Sequence, residues 1–379
     1  MKTFLKLLSV TVGGLMISSL AQAQTKIGVL VPDSGPGGLF GPSARQAAEL
    51  AAEDINAAGG IGGAPIELVF ADVGVPPAQA VQSVQRLWRG QGVEGFVGMH
   101  DSAVRAALTG QFKGEVPYVY TAVYEGGECA ASTYVTGETP AQQLDPVIPW
   151  LAENKGASKW YLIGNDYNWP RDTNAVATGY IAGAGGEIVG EEYVPLGTSD
   201  FDASLVRIKA SGADAILVTL VGGDSVGFNI AYSAFGLPEQ ALRVGTLIEE
   251  NTLAGIGAAN AAGLYSSMGY FANLPNDAAA AYVDRINATF GDQAAQPNGL
   301  GQSIYDGLVL LAAMGNAAGS MDADAIASVA DGTSFSSPRG SAQLDGNHVA
   351  QSVYLADGSS GSFEVVASFD SVPHGVVCN

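Results

Sequence analysis

Hydrophobic residues at the start of the chain follow a strand pattern, then a helix pattern, then a strand pattern again. The short β-branched run 26–31 stops at the glycine- and proline-rich segment 32–38, where a strand cannot continue. Apolar residues then recur at steps of three and four over 42–57, which predicts an amphipathic helix, and 66–70 is a second strand. We therefore predict a βαβ unit whose right-handed crossover places the turn around Ser34 at the carboxyl edge of a parallel sheet, where open α/β sheets bind ligands.

The same alternation continues along most of the chain. Further strands are predicted at 94–99, 117–121, 159–164, 187–194, 215–221, 243–248 and 264–271. Helices are predicted at 77–89, 102–112, 172–184, 201–210, 225–235, 277–290 and 302–318. Strands that alternate with helices predict an α/β fold with doubly wound parallel sheets. The chain then ends in short strand-like pieces at 341–344, 348–354 and 363–369.

The length of 379 residues is too great for one hydrophobic core, so two compact lobes are expected. The segment 137–140, which reads Gly-Glu-Thr-Pro, interrupts the periodicity, and a new run of βα units follows it. We place the first lobe boundary at this segment.

Residues 1–23 have the layout of a secretory signal peptide. Lys2 and Lys6 make a basic start, an apolar stretch covers 7–20, and Ala21 and Ala23 mark a small-residue cleavage site. We expect a mature chain that begins at Gln24 and is soluble outside the cytoplasm, because no later apolar run is long enough to span a bilayer. A lipid anchor is not expected, since no Cys lies at the cleavage site.

Charge and cysteine content narrow the possible partners. The formal net charge of −21 becomes −23 once Lys2 and Lys6 are removed, and such a field repels nucleic acid and anionic lipid.

Cys129 and Cys378 are the two cysteines. In an oxidising compartment they are expected to form a disulfide, although two unpaired thiols are the alternative.

One short motif suggests an enzyme. The segment 223–227 matches the G-x-S-x-G pattern of serine hydrolases, and Asp345 and His348 follow Ser225 in the chain. A chain with 51 glycines produces such a pentapeptide by chance, and the strand-like tail is the wrong place for the two partners. We therefore expect no catalytic activity.

The sequence predicts no metal or cofactor. His100, His348 and His374 are isolated from one another and from both cysteines, so the spacing of a metal site is missing. None of the glycine clusters has the G-x-G-x-x-G pattern of dinucleotide-binding proteins.

Several segments resemble those of a known family. Val-Pro-Asp-Ser-Gly at 31–35, Phe-Gly at 40–41, the segment 48–63 and Ala-Asp at 71–72 are similar to the opening of type I solute-binding proteins of ABC importers. Tyr-Glu-Gly-Gly-Glu-Cys at 124–129 and the loop 164–171 resemble the branch of urea and short-chain amide receptors, which are related to branched-chain amino acid receptors.

This resemblance implies a periplasmic binding protein type I fold, an α/β architecture with two Rossmann-like lobes joined by three hinge crossovers. Lobe one would comprise 24–136 and 271–337, and lobe two would comprise 137–270 and 338–379. The lobes of this family close on a ligand between them.

The first candidate ligand-binding residues are at strand ends of lobe one. Ser102 follows a strand, opens a helix and matches the ligand-contacting serine of the family, although an ordinary N-cap is the alternative. Tyr120 is carried over from the same resemblance, and Thr121 closes the same strand.

Lobe two contributes the remaining candidates. Tyr167 and Trp169 follow a strand and can flank a flat ligand, with core packing as the alternative. The other candidates are Gly222, Asp224, Glu249 and Glu250, which follow two later strands. Carboxylates there would accept hydrogen bonds from N–H donors, although a solvated surface charge is the alternative reading of each.

We therefore expect an extracytoplasmic receptor, monomeric and periplasmic, that binds a small polar solute and delivers it to an ABC permease in the inner membrane. Lobe one has no Arg or Lys at its strand ends, which favours a neutral amide or urea-like solute over an amino acid. A periplasmic sensor that signals to a receptor, and a secreted hydrolase that uses Ser225, are the alternatives.

Overall fold

The computed structural model describes residues 24–378, so the predicted signal peptide lies outside the described residues. The first part of the chain forms a parallel sheet with the order β2-β1-β3-β4-β5. Its strands are β1 (Thr25–Val31), β2 (Ile66–Asp72), β3 (Gly95–Gly98), β4 (Tyr118–Tyr120) and β5 (Thr133–Val135). Its helices are α1 (Gly41–Ala57), α2 (Pro77–Gln85), which continues into a π-helical turn at Arg86–Gly90, and α3 (Ser102–Phe112).

A second parallel sheet follows with the order β7-β6-β8-β9-β10. Its strands are β6 (Lys159–Asn165), β7 (Glu187–Val194), β8 (Ala215–Thr219), β9 (Leu242–Gly245) and β10 (Leu264–Met268). The helices of this part are α4 (Pro140–Leu144), α5 (Val147–Lys155), α6 (Asn168–Gly183), α7 (Asp202–Ser211), α8 (Gly222–Ala234) and α9 (Glu250–Ile256).

The last part of the chain returns to the first sheet and then connects the two sheets. It contains α10 (Asp277–Phe290), α11 (Gly299–Ala318), α12 (Ala323–Ala327), β11 (Ser334–Ser337), β12 (Gly340–Asp345), β13 (His348–Asp357) and β14 (Glu364–Val372). Strand β13 lies beside β5 at its start and pairs antiparallel with β10 at its end. A mixed, mostly parallel α/β fold is therefore confirmed, with β13 shared by both sheets.

The pairing of strand β12 shows to which sheet the residues just after the proposed lobe boundary at 338 belong. It pairs with β11 and with the first residues of β13, the part that lies beside β5. Residues 340–345 are consequently attached to the first sheet, and the crossing to the second sheet takes place within β13.

The apolar face predicted for α1 is buried. Ala47, Leu50, Ala51 and Ile55 are buried, and α1 packs against the long helix α11. Burying one leucine- or isoleucine-sized side chain stabilises the fold by about 1.5–3 kcal/mol. Gly28 shows how close the packing is, because a Cβ atom there would overlap the ring of Phe96.

The interruption predicted at 137–140 is the beginning of α4. Thr139 caps this helix, since its Oγ1 accepts from the Gln142 backbone N–H while the Gln142 side chain accepts from the Thr139 N–H. Pro140 occupies the first turn, where its missing N–H costs nothing. The helices α4, α5, α9 and α12 and the strands β5 and β11 were not predicted, because each is too short to show a clear period.

Cys129 and Cys378 form the expected disulfide, with their Cα atoms 5.6 Å apart. The bond joins the loop before β5 to the segment after β14, and the Thr139 hydroxyl donates to the backbone oxygen of His374 in the same segment. Over residues 24–378, the structure contains no helix long and apolar enough to cross a membrane.

Candidate functional site

A cavity of about 330 Å³ lies between the two sheets, at the carboxyl ends of their strands. The loops after β1, β2, β3 and β4 form one side, and the loops after β6, β7, β8 and β9 form the other. Loops from both sheets converge there because the carboxyl ends of parallel strands lie at one edge of a sheet. This is the edge at which the Ser34 turn was expected.

Most of the cavity lining is apolar. Its large apolar residues include Phe40, Met99, Val123, Val221, Leu247 and Leu300. Among the described residues that line the cavity there is no Lys or Arg. Such a surface favours a ligand with an apolar body and a small polar part, because the few polar groups then fix its orientation.

Ser102 lines the cavity and is 1% exposed. It is the first residue of α3, and its neighbour Asp101 is the N-cap, whose Oδ1 accepts from the Val104 N–H at 2.8 Å. The alternative role of Ser102 as an N-cap is therefore taken by Asp101. The Ser102 hydroxyl donates instead to Glu125 Oε2 at 2.5 Å.

Ser102 contacts a buried cluster of charged side chains around Arg105. Arg105 donates to Glu125 Oε1 at 2.8 Å and to Glu128 Oε2 at 3.0 Å. Burial opposes the charge on Arg105, but neighbouring groups that include Glu125 and Glu128 outweigh it and raise the Arg105 pKa above its ordinary value. This guanidinium is held by two carboxylates and is not free to pair with a ligand.

Tyr120 lines the cavity with its ring, and its hydroxyl donates to the backbone oxygen of His100 at 2.7 Å. Burial raises the pKa of Tyr120 above its ordinary value, so the phenol stays neutral. Thr121 is the next residue but does not line the cavity. Its hydroxyl donates to the Gly98 backbone oxygen at 3.3 Å, inside the first sheet.

His100 also lines the cavity, and it is held neutral. Burial lowers its pKa to about 4. Its Nδ1 lies 3.1 Å from the Asp101 backbone oxygen, and its Nε2 lies 2.7 Å from the Tyr118 hydroxyl. Both contacts are satisfied when Nδ1 carries the proton and the Tyr118 hydroxyl donates to Nε2.

Tyr167 and Trp169 lie on the opposite side, with ring centroids 6.3 Å apart. Trp169 is 2% exposed and belongs to the hydrophobic core as well as to the cavity lining. Its Nε1 is buried with no hydrogen-bond partner. A buried donor without a partner costs about 1–3 kcal/mol, and a ligand oxygen is one group that can satisfy it.

The remaining predicted residues do not line the cavity. Asp224 accepts from the Asn165 side chain at 2.7 Å and from the Gly197 N–H at 2.8 Å, and burial raises its pKa. Gly222 lies against Pro36 of the first sheet's loops. Ligand contact by either residue stays a prediction.

Glu249 and Glu250 likewise contact the backbone around α9. Glu249 is the N-cap of this helix and accepts from the Asn251 and Thr252 N–H groups, both at 2.8 Å. Glu250 accepts from the Ala272 N–H at 2.7 Å. Of the nine predicted residues, the structure therefore brings Ser102, Tyr120, Tyr167 and Trp169 together around the cavity.

The sequence analysis did not identify several lining segments. The loop 73–77 and Leu196 follow the strands β2 and β7 and reach the cavity for that reason. The rule that ligands lie at strand carboxyl ends was available for both. Arg105 and Glu125 could not be paired in advance, because they are brought together only by the fold.

The residues of the G-x-S-x-G motif do not form a triad. The Ser225 hydroxyl contacts Asn229 at 3.4 Å, while the ring nitrogens of His348 contact Tyr124 and Asn347. In the described part of the chain, no group of His, Cys, Asp and Glu side chains has the arrangement of a metal site.

A family sequence model and individual known proteins each match most of this chain. The sequence model of the family described as periplasmic binding protein matches residues 24–362. Leu/Ile/Val-binding protein homolog 6 of Brucella melitensis biotype 1 is 29% identical over 344 residues, which is 88% of this chain and 87% of that protein. The homolog 6 of Brucella abortus (strain 2308) is similar to the same extent.

Solved structures share the fold. A solute binding protein of an ABC transporter from Rhodopseudomonas palustris HaA2, in complex with p-hydroxybenzoic acid, has a TM-score of 0.82 and 26% identity, and the match covers 93% of this chain and 99% of that one. A leucine binding protein from Thermotoga maritima MSB8 has a TM-score of 0.81 and 20% identity, with coverage of 91% and 99%.

Proposed function

Since the chain belongs to the periplasmic binding protein family and is a substrate-binding component of an ABC transporter, we propose that its cavity binds a small uncharged solute with an amide-like head and an apolar body. The observation that supports this proposal is the cavity itself, which is lined from both sheets, is largely apolar and has no Lys or Arg among the residues of the described chain that line it. The chain is a binding protein and not an enzyme.

The size of the cavity favours a solute larger than urea. A volume of about 330 Å³ lies in the range of small-molecule sites, and urea alone would leave the apolar walls without contacts. Similar proteins are associated with solutes whose apolar part would fit such a cavity. One is in complex with p-hydroxybenzoic acid, and others are called Leu/Ile/Val-binding protein homologues. An aromatic or branched aliphatic amide has such a body.

The charges around the cavity favour a neutral head over a carboxylate. Asp101 lines the cavity, and the nearby Arg105 is already paired with Glu125 and Glu128. A carboxylate buried here would lose its hydration without gaining a free cation, and this costs several kcal/mol. An amide carries N–H donors for Ser102 and Asp101 and an oxygen for the unpaired Trp169 Nε1.

Binding would couple to closure of two lobes. Ser102 and Tyr120 approach the cavity from the first sheet, whereas Tyr167 and Trp169 approach it from the second. A solute that contacts both sides stabilises the closed arrangement over an open one, so the mechanism is a population shift. We further propose that the signal segment 1–23 directs the protein to the periplasm, where the closed form delivers its solute to a permease in the inner membrane.

The test uses pairs of solutes that differ only in the head group. Protein stripped of bound solute by unfolding and refolding is titrated calorimetrically with benzamide and benzoate, with isovaleramide and isovalerate, and with urea and leucine. We expect measurable affinity for the two amides, and a solute at 100 times its Kd should stabilise the fold by about 2.7 kcal/mol. Binding of the carboxylates or leucine without binding of the amides would show that the solute class is wrong.

A further inference from the structure

The single proton of the Ser102 hydroxyl is committed before any solute enters. Ser102 Oγ donates to Glu125 Oε2 at 2.5 Å, and a hydroxyl has only one hydrogen to donate. Hydrogen bonds to an ionised acceptor are about twice as strong as neutral ones. A neutral solute oxygen therefore competes poorly with Glu125 for this proton.

Glu125 is fixed in the position that holds the proton. Its side chain is 8% exposed, and its other oxygen, Oε1, accepts from Arg105 Nη2 at 2.8 Å. Arg105 is itself held by Glu128 through Nε at 3.0 Å and lies 3.4 Å from Ser102 Oγ through Nη1. Rotation of Glu125 away from Ser102 would break contacts in this buried cluster, so the direction of the Ser102 hydrogen bond is preset.

Towards the cavity, Ser102 is consequently left with a lone pair and not a proton. The adjacent Asp101 also lines the cavity, and its Oδ1 already accepts from the Val104 N–H at 2.8 Å. We propose that Glu125 is a specificity-determining residue that acts through Ser102, making this end of the cavity accept N–H groups and reject carboxylates. This inference rests on the proposed function, because it assigns the selection of an amide head to one side chain that does not line the cavity.

A carboxylate solute meets two obstacles at this end. The carboxylate needs hydrogen-bond donors, but the Ser102 proton is directed to Glu125. The solute carboxylate would also lie close to the Glu125 carboxylate, with only the Ser102 oxygen between the two charges. An amide N–H meets an acceptor at the same point. The discrimination therefore arises from the direction of one hydrogen bond together with like-charge repulsion.

The experiment compares Glu125→Gln with Glu128→Gln. Both substitutions remove one carboxylate from Arg105, but only Glu125 contacts Ser102. In Glu125→Gln the new amide can donate to Ser102 Oγ and release the hydroxyl proton towards the cavity. We expect the ratio of the benzoate Kd to the benzamide Kd, measured calorimetrically at pH 7, to fall about tenfold in Glu125→Gln and to change less than about twofold in Glu128→Gln, which leaves the hydrogen bond from Ser102 to Glu125 in place.

Addition of Ser102→Ala to Glu125→Gln should abolish the gain in benzoate affinity, because the released proton is then absent. Equal changes of the ratio in the two glutamine variants would overturn the proposal, since net charge alone would explain them. An unchanged ratio in a folded Glu125→Gln protein would also overturn it.

Two further results keep the inference separate from the proposed function. If Glu125→Gln does not fold, Ser102→Ala alone decides: benzamide affinity should fall about fivefold or more while benzoate affinity is retained, and an equal loss of both would refute the proposal. Wild-type protein that binds benzamide while the variants show no change contradicts only this inference. Wild-type protein that binds carboxylates and no amide contradicts the proposed function and this inference with it.

Discussion

The backbone of Gly222, at the start of α8, lies against the carbonyl group of Pro36, in the loop after β1. The neighbouring Gly223 N–H donates to the Pro36 oxygen at 3.4 Å, so the two sheets are joined here by main-chain atoms beside the cavity. Gly222 has a φ of +48°, a left-handed conformation that favours glycine. A Cβ atom at Gly222 would overlap the Pro36 oxygen.

Gly222→Ala should therefore weaken the binding of every solute to a similar degree. The added methyl group obstructs the approach of the two sheets, and closure is required for contact with both sides of the solute. We expect a loss of affinity of about tenfold, with unchanged selectivity between benzamide and benzoate, by calorimetric titration. Gly223→Ala is the matched control, because a Cβ atom at Gly223 meets nothing within 4 Å. A solute-specific loss in Gly222→Ala would instead support direct ligand contact, as the sequence analysis predicted.

Trp169→Phe separates the two roles of this side chain. The substitution keeps an aromatic ring in the core but removes the Nε1–H group, which is buried without a partner. We expect amide affinity to fall by about 1 kcal/mol, because the bond from Nε1 to the solute oxygen is lost, whereas loss of the unpaired donor offsets part of the packing cost in the solute-free protein.

Trp160→Phe provides the comparison. Trp160 is 1% exposed and packs in a separate core beneath the second sheet, away from the cavity lining. The Trp160→Phe substitution should lower the melting temperature and leave the amide affinity unchanged. If Trp169→Phe gives the same pattern as Trp160→Phe, Trp169 is a core residue and does not bind the solute.

The disulfide between Cys129 and Cys378 should contribute strongly to stability. It closes a loop with a sequence separation of 249 residues, and removal of a native disulfide costs typically 2–5 kcal/mol. We expect the double variant Cys129→Ser, Cys378→Ser to melt at a lower temperature than the wild type. Reductant should lower the melting temperature of the wild type to that of the double variant, and it should not affect the double variant. Reaction of the denatured, unreduced wild type with a thiol reagent would contradict the bond.

The sequence predicted regular elements better than it predicted partners. The helix predicted at 102–112 coincides with α3, and the strand predicted at 187–194 coincides with β7, because a local period determines both. Asp224 lies near a strand end as expected, but its partner Asn165 is 59 residues earlier in the chain. Which way a polar side chain turns depends on such distant partners, and no local pattern contains them.

The Arg105 and Glu125 pair illustrates the same limit within the candidate site. Glu125 belongs to the segment 124–129 that resembles the amide receptors, but it was not among the predicted ligand-binding residues. The three-dimensional fold was needed to show that its carboxylate contacts Ser102 and Arg105 and does not line the cavity.

Burial keeps the His100 imidazole in the cavity lining neutral over a wide range of pH. Burial lowers the folded-state pKa of His100 to about 4, whereas an unfolded histidine has a pKa of about 6.5. The imidazole therefore stays neutral above about pH 5, and we expect benzamide affinity to be constant between about pH 5.5 and 8. A chemical-shift titration of the His100 ring should show no protonation in this interval.

The same difference in pKa predicts how stability depends on pH. Because the folded-state value is the lower one, the contribution of His100 is fully present above about pH 6.5 and is lost as the pH falls towards 4, at up to about 1.4 kcal/mol per pH unit. His100→Gln, which cannot bind a proton, should lessen this decline when the free energy of unfolding is measured from pH 4 to 7. Equal slopes for both proteins, or a His100 resonance that titrates near pH 6.5, would show that burial does not hold His100 neutral.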